Sequence, residues 1–334
     1  MALDRPGNLP EAFSAAPNLR AHFDRVLNNN KAVAAILFLA IFPLIMPYEA
    51  LAVKILVFGL YALGFNLLFG YTGMLSFGHS AFLGAGAYGA GIAIVHWHAH
   101  FLVSVAGGVA LATVVAFVMG QLSIRTRGIY FSMVTLALSQ CVYYVAYQAE
   151  AWTGGENGLR GINISSIDLL GFQIDFLNPI VRYYLIFAFV AFALWFLARI
   201  LASPFGAVLE AVRENERRAA ACGYNVANAK LLSFVLSGAF CGLAGALWAV
   251  HLSVVPIETL NYLTSGEAVI MCLLGGMGTY FGPFVGAAIY LLFEDVLTLQ
   301  TSHWQLYLGI LFILCVLFFP RGVWGSLTHW ASRR

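Results

Sequence analysis

Charge is scarce in this chain of 334 residues. Asp, Glu, Lys and Arg make up 10% of it, where a soluble globular protein carries roughly a quarter. Apolar types account for 61%, more than a water-soluble fold can hide, so a soluble globular class is excluded. Lysine occurs only at Lys31, Lys54 and Lys230, and none of the three follows a glycine. A phosphate-binding loop of the form GxxxxGK[ST] is therefore absent, which excludes ATP hydrolysis by that route in this polypeptide. The cysteines, Cys141, Cys222, Cys241, Cys272 and Cys315, show no CxxC and no short paired spacing. They read as small apolar packing residues rather than metal ligands or disulfides. The first stretch of ~30 residues lacks the apolar core of a secretory signal.

What is present is a series of long uncharged runs, such as Ala32 to Pro47, Tyr183 to Ala198 and Leu306 to Pro320. Each is long enough, or nearly so, for a bilayer crossing of ~20 residues. Backbone groups in lipid must be satisfied internally, so the crossings should be helical. The predicted fold is an all-α polytopic membrane protein of about ten spans. They lie near 32–47, 51–69, 72–95, 102–122, 130–148, 182–201, 231–251, 265–277, 283–298 and 304–320. Basic residues collect before the first span (Arg5, Arg20, Arg25, Lys31), after the fourth (Arg125, Arg127), after the sixth (Arg213, Arg217, Arg218, Lys230) and after the last (Arg321, Arg333, Arg334). By the positive-inside rule these segments face the cytoplasm. That orientation divides the chain into a cytoplasmic tail at 1–31, a transmembrane domain at 32–320 and a second cytoplasmic tail at 321–334. The connection from Glu150 to Ile180 holds four acidic residues against Arg160 and Lys-free flanks, and is expected on the outer side.

Two segments interrupted by glycine resemble each other. "GMLSFGHSAFLGAG" begins at Gly73 and "GMGTYFGPFVGAA" at Gly276. Glycine-broken segments in two halves of a chain point to internal repeats around a translocation path, while close helix packing through small residues explains any single glycine equally well. Candidates to line a path are Asn66, Gly73, Ser76, His79, Thr135, Gln140, Gly276 and Gly278. Bonds between helices are the plain account of the polar ones. The "GAGAYG" at Gly84 matches GxGxxG but lies in an apolar segment with no strand before it, so nucleotide binding is not expected there. The alternating His96, His98 and His100 lack a carboxylate or cysteine neighbour and read as an interfacial loop beside Trp97. No metal site and no cofactor is expected.

The most informative stretch is "SPFGAVLEAVRENERRAAACGYNVANAK" from Ser203. It reads as one amphipathic helix over 203–223, with Ser203 as N-cap, Pro204 at the first helical position and Gly223 just past the end. Phe205, Val208, Leu209 and Val212 form one apolar stripe. Opposite it, Glu210 can pair with Arg213, and Glu214 with Arg217 or Arg218. The helix is too short and too charged to span. Its balanced charges favour a groove in a partner protein over an anionic lipid surface.

At this segment the chain resembles the permease subunits of the branched-chain amino acid ABC importers, of the LivM type. The resemblance rests on "NLLFGYTGMLSFGHSAFLGAGAYGAG" from Asn66, the stretch from Ser203 to Leu247 and "LLGGMGTYFGPFVGAA" from Leu273, with shorter support from "RTRGIYFSMVTLALSQ" and "TGGENGLRGI". Permeases for urea and short amides share a similar pattern. The resemblance implies a multi-pass protein of the bacterial inner membrane that is not itself an enzyme. It also implies a second permease subunit as heterodimer partner, two cytoplasmic ATP-binding subunits and a substrate-binding protein outside, with no nucleic acid. On this resemblance the 203–223 helix is the coupling helix, carrying Glu210, Arg213, Glu214, Asn215 and Glu216 toward the ATPase and ending at Gly223. A gradient-driven carrier and a membrane-embedded enzyme are the other classes open to so apolar a chain.

Overall fold

The computed structural model describes residues 48–162, 166–169, 172–176, 178–301, 303–318 and 322–326. The long helices are α1 Glu49–Thr72, α2 His79–Trp97, α3 Phe101–Ser123, α4 Ile129–Gln148, α6 Pro179–Ala202, α9 Val226–Leu252 and α11 Gly282–Gln300. Shorter ones are α5 Glu150–Thr153, α7 Pro204–Glu214, α8 Glu216–Ala221, α10 Tyr262–Gly275 and α12 Trp304–Phe318. Each predicted span from 51 onward overlaps a helix, although the one expected at 72–95 begins on a non-helical loop and its helix starts only at His79, and the predicted span at 32–47 lies outside the described residues. Six of the described helices, α1, α3, α4, α6, α9 and α11, are long and apolar enough to cross a membrane by themselves. The expected count of about ten is not reached on that measure. Helix α2 is diluted by glycine, alanine and histidine, and α10 and α12 are shorter apolar pieces.

Helix α1 is the axis of the bundle, with nearly every side chain enclosed by α9, α11, α6 and α10. In lipid there is no hydrophobic drive between helices, so cohesion comes from close backbone approach and interhelical hydrogen bonds. The sequence supplies both. A methyl group on Gly59 would run into the ring of Phe284 of α11, and one on Gly64 would lie 2.8 Å from Cys241 Sγ of α9. Helices α2, α3 and α9 meet through facing small residues. A Cβ on Gly89 would sit 2.9 Å from Gly108 Cα, and one on Gly86 2.6 Å from Gly242 Cα. The "GAGAYG" glycines are thus contact points for neighbouring helices. The outward faces of α3, α4, α6 and α12 carry exposed Val, Leu, Ile, Phe and Trp, as lipid-facing or partner-facing surfaces must.

Lys54 of α1 is paired, and Tyr48 before it is bonded. Lys54 Nζ donates to Glu294 Oε2 of α11 at 3.0 Å, and the Tyr48 hydroxyl donates to Asp295. Two small ladders decorate the connections. β1 (Leu159–Arg160) pairs antiparallel with β4 (Val254–Val255), and β2 (Ser166–Leu169) pairs with β3 (Phe172–Asp175). The β1–β4 ladder packs on the last turns of α2, where Leu159, Ile162 and Val255 surround Gly91.

Candidate functional site

The two glycine-interrupted segments and the amphipathic segment converge at one end of the bundle. Helix α1 stops at Gly73, whose left-handed backbone (φ 75°) returns its N–H to Leu68 and Phe69 carbonyls. The loop that follows is pinned by α4. Ser132 Oγ donates to the Leu75 carbonyl at 2.7 Å, and Phe77 N–H donates to Thr135 Oγ1 at 3.2 Å. Ser76 turns back on the same loop, accepting from Gly78 N–H at 3.2 Å.

Between α10 and α11 the backbone makes a second glycine turn, with Gly276 at φ 119° and Gly278 at φ 69°. Asn66, one turn and a half before the end of α1 and fully buried, clasps it. Its Nδ2 donates to the Thr279 carbonyl at 2.9 Å, and its Oδ1 accepts from Gly278 N–H at 3.0 Å and from Cys272 Sγ at 3.2 Å. Gly70 must lack a side chain for this to form, because a Cβ there would lie 2.6 Å from Gly278 N and overlap the Asn66 amide.

The amphipathic segment is two helices rather than one. Asn215 is extended (φ −161°, ψ 103°), separating α7 from α8, and its Oδ1 accepts from Arg218 N–H at 3.0 Å as the N-cap of α8. An Asn that satisfies a free helix-start N–H explains the break. Ser203 occupies the expected N-cap position, but its hydroxyl donates to the Ile200 carbonyl at 2.6 Å instead of capping. Pro204 opens α7, and Gly223 follows α8 at φ 89°. Leu209 and Val212 are buried, with Phe205 and Val208 partly so.

The expected pairs of Glu210 and Glu214 with arginine do not form. Arg213, exposed overall, lies back against the end of α1 instead, donating from Nη1 to the Gly70 carbonyl, with its stem 3.2 Å from where a Gly73 side chain would begin. The same Nη1 lies 3.0 Å from a Cβ position on Gly278. A guanidinium with several donors can cap a helix-end carbonyl while filling the space that three glycines leave. Glu216 faces Lys230 of α9, whose side chain is only 7% exposed, and Arg127 Nε at 3.8 Å. The Arg127 contact is mostly in solvent and contributes little. Beside the junction opens a cleft of about 480 Å³, lined by Gly73, Met74, Thr126, Arg127, Phe131, Ser132 and the turn from Val212 to Glu216 with Lys230.

Glu214 and Asn215 are exposed at this cleft, and Glu210 is exposed on α7 outside its lining. Asn66, Gly73, Gly276 and Gly278 belong to the junction itself. His79 does not join it. His79 is fully buried deeper in the bundle, with Nε2 2.8 Å from Ser237 Oγ of α9, which in turn donates to the Gly64 carbonyl at 2.6 Å. Phe65, Phe82 and Phe234 surround its ring. Gln140 lies further along α4 toward the opposite end. Lys230, Ser132 and Ser237 were not singled out from the sequence as site residues. Lys230 is separated from Glu216 by a helix end and a turn, so no periodic spacing advertises their contact.

A helical bundle in which six of the described helices are long and apolar enough to cross a membrane is that of a polytopic membrane protein. The chain belongs to the family described as "Branched-chain amino acid transport system / permease component", whose model matches residues 48–319. It is similar to the high-affinity branched-chain amino acid transport system permease protein LivM of Escherichia coli K12. The two are 26% identical over 292 residues, covering 82% of this chain and 69% of the relative. The Salmonella typhimurium LivM is 25% identical over the same shares. The autoinducer 2 import system permease protein LsrC of Klebsiella pneumoniae is 30% identical over 174 residues, 50% of this chain and 48% of the relative. No solved structure matches the chain.

Proposed function

We propose that this chain is the translocating subunit of an ATP-driven importer for branched-chain or related apolar amino acids in a bacterial inner membrane, with both termini cytoplasmic. Its partners would be a second permease subunit, two cytoplasmic ATP-binding subunits and an outer substrate-binding protein. The helices α7 and α8 would dock on the ATPase through Glu210, Glu214 and Asn215. Asn66, Ser76, His79, Thr135 and Gln140 would border the path, and the 1–31 and 321–334 tails would flank the membrane domain.

The observation that carries this reading is Arg213. One residue of a surface helix bonds the end of the central span and touches the turn between α10 and α11. A rigid shift of α7 by an ATPase would therefore be felt at once by α1, α10 and α11, the mechanical requirement for alternating access driven from outside the bundle. Amino acids are favoured over urea by the LivM relatives, which match most of this chain.

The test is reconstitution of the chain with its neighbouring transport subunits in proteoliposomes. ATP-dependent uptake of leucine, and none by this chain alone, supports the proposal. Flux by the chain alone, without any ATPase, would replace it with a gradient-driven carrier. ATP-driven uptake of urea but not leucine would move it to the short-amide importers.

A further inference from the structure

The cleft beside the junction has a lining that the grip of Arg213 on α1 does not use. Its volume of about 480 Å³ lies within the range of roughly 300–1,000 Å³ that small-molecule sites occupy. One part of the lining is the turn leading into α4, with Arg127, Gly128 and Ile129, and another is the start of α8, with Glu216. Met74, Leu75, Phe131 and Val212 add an apolar part.

The charges in the cleft are of both signs and incompletely matched. Lys230 is held by Glu216 Oε1. Arg127 Nε lies 3.8 Å from Glu216 Oε2, beyond hydrogen-bond length. A guanidinium that is 75% exposed and the second oxygen of a carboxylate therefore stand close together, each with bonding capacity left. No side chain caps α4 at Gly128, so the N–H groups of its first turn add to the positive side of the gap.

A ligand of one sign meets like charge here. A phosphate would face Glu214 and Glu216, and a simple amine would face Arg127, Arg213 and Lys230. A zwitterion satisfies both signs, and one with a branched apolar side chain also covers the apolar part of the lining.

We propose that the cleft binds the imported α-amino acid from the cytoplasmic side and that its occupancy slows further import. The ligand carboxylate rests on Arg127 and the start of α4. Its ammonium meets Glu216 Oε2, and its side chain lies against Phe131 and Val212. A ligand held in this way ties the start of α8 to the turn before α4, and so resists the shift of α7 and α8 that coupling to an ATPase requires. Accumulated product thereby restrains its own entry. This inference rests on the proposed amino acid import and its orientation.

The test uses proteoliposomes of the complete complex, with ATP and unlabelled leucine in the lumen on the side of the ATP-binding subunits. Labelled leucine on saturating binding protein is supplied outside. Initial uptake is expected to fall by at least half as luminal leucine rises. Leucinamide and N-acetylleucine, each lacking one of the two charges, are expected to have no such effect at the same concentration. Arg127→Gln should raise the luminal leucine needed for half inhibition at least tenfold, the loss of one charge-assisted hydrogen bond, and Arg127→Lys should raise it less. Each protein is compared with its own rate without luminal leucine. Leucine is also expected to raise the melting midpoint of the full chain in detergent, and to raise that of Arg127→Gln less.

Uptake indifferent to luminal leucine overturns the site and leaves the transport reading standing. Inhibition that is the same in Arg127→Gln, or that leucinamide reproduces, does likewise. Uptake that follows the anionic lipid content of the vesicles and not luminal leucine gives the cleft to a lipid head group, and also overturns it. Absence of ATP-driven leucine uptake by the unaltered complex removes the import reading and this inference together.

Discussion

Replacing Gly278 by alanine strikes the junction in two ways. The backbone there sits at φ 69°, a conformation that costs an L-residue roughly 1–2 kcal/mol. The added methyl would also lie 3.0 Å from Arg213 Nη1 and 3.2 Å from the Gly70 carbonyl oxygen. Backbone carbonyls do not move easily, so the guanidinium must yield and its bond to Gly70 is lost or weakened. A hydrogen bond from a charged donor contributes about 1.5–3 kcal/mol, which brings the total to the order of 2–5 kcal/mol. At roughly 2–4 °C per kcal/mol for a domain of a few hundred residues, the purified protein in detergent should melt about 4–20 °C lower. Gly266→Ala, at a position with nothing within 4 Å of the new methyl, should leave the midpoint within about 2 °C of the original. A Gly278→Ala protein that melts with Gly266→Ala would refute the claim that Arg213, Gly70 and Gly278 form one packed unit.

Other outcomes follow from the same contacts. Asn66→Leu keeps the branching of the side chain but strands Gly278 N–H and the Thr279 carbonyl in a partly buried turn. It should cost about 2–4 kcal/mol, read as a lower melting midpoint, with Asn66→Asp no better because it cannot donate to Thr279. Lys54→Met leaves Glu294 without its ammonium, and Glu294→Leu leaves Lys54 bare. Each single change should destabilise by about 2 kcal/mol or more, while the double replacement recovers at least half of the summed loss, measured as a thermal double-mutant cycle. Ser237→Ala removes the partner of His79 Nε2 and a donor to Gly64. A midpoint drop of about 1–3 kcal/mol equivalent is expected, and no change would mean that the bond is not formed in the membrane.

The long apolar helices were legible in the sequence because uncharged runs are a one-dimensional property. The apolar stripe through Leu209 and Val212 and the left-handed Gly223 were legible for the same reason, being set by local spacing. The break at Asn215 was less visible. An Asn between two Glu residues in a charged helix gives no sign that it will cap a second helix rather than continue the first. The partner of Arg213 was read wrongly on a local rule: Glu210 is three residues away and on the same helix, yet the guanidinium found the carbonyl of Gly70, 143 residues earlier. Only the tertiary approach of α7 to the end of α1, made possible by missing side chains at Gly70, Gly73 and Gly278, opens that route. His79 was seen as polar and interesting, but the bond to Ser237 depends on the packing of α2 against α9, which composition does not reveal. The resemblance in sequence between the two glycine-broken segments did carry spatial meaning, since both lead into the same junction.

Coupling through Arg213 is tested most directly by counting leucine molecules imported per ATP hydrolysed. The measurement uses proteoliposomes holding the complete complex with Arg213→Ala in this chain. The account predicts that hydrolysis continues while the ratio falls at least tenfold, because α7 still meets the ATPase but no longer grips α1 and the Gly276–Thr279 turn. A ratio equal to that of the unaltered complex would contradict it.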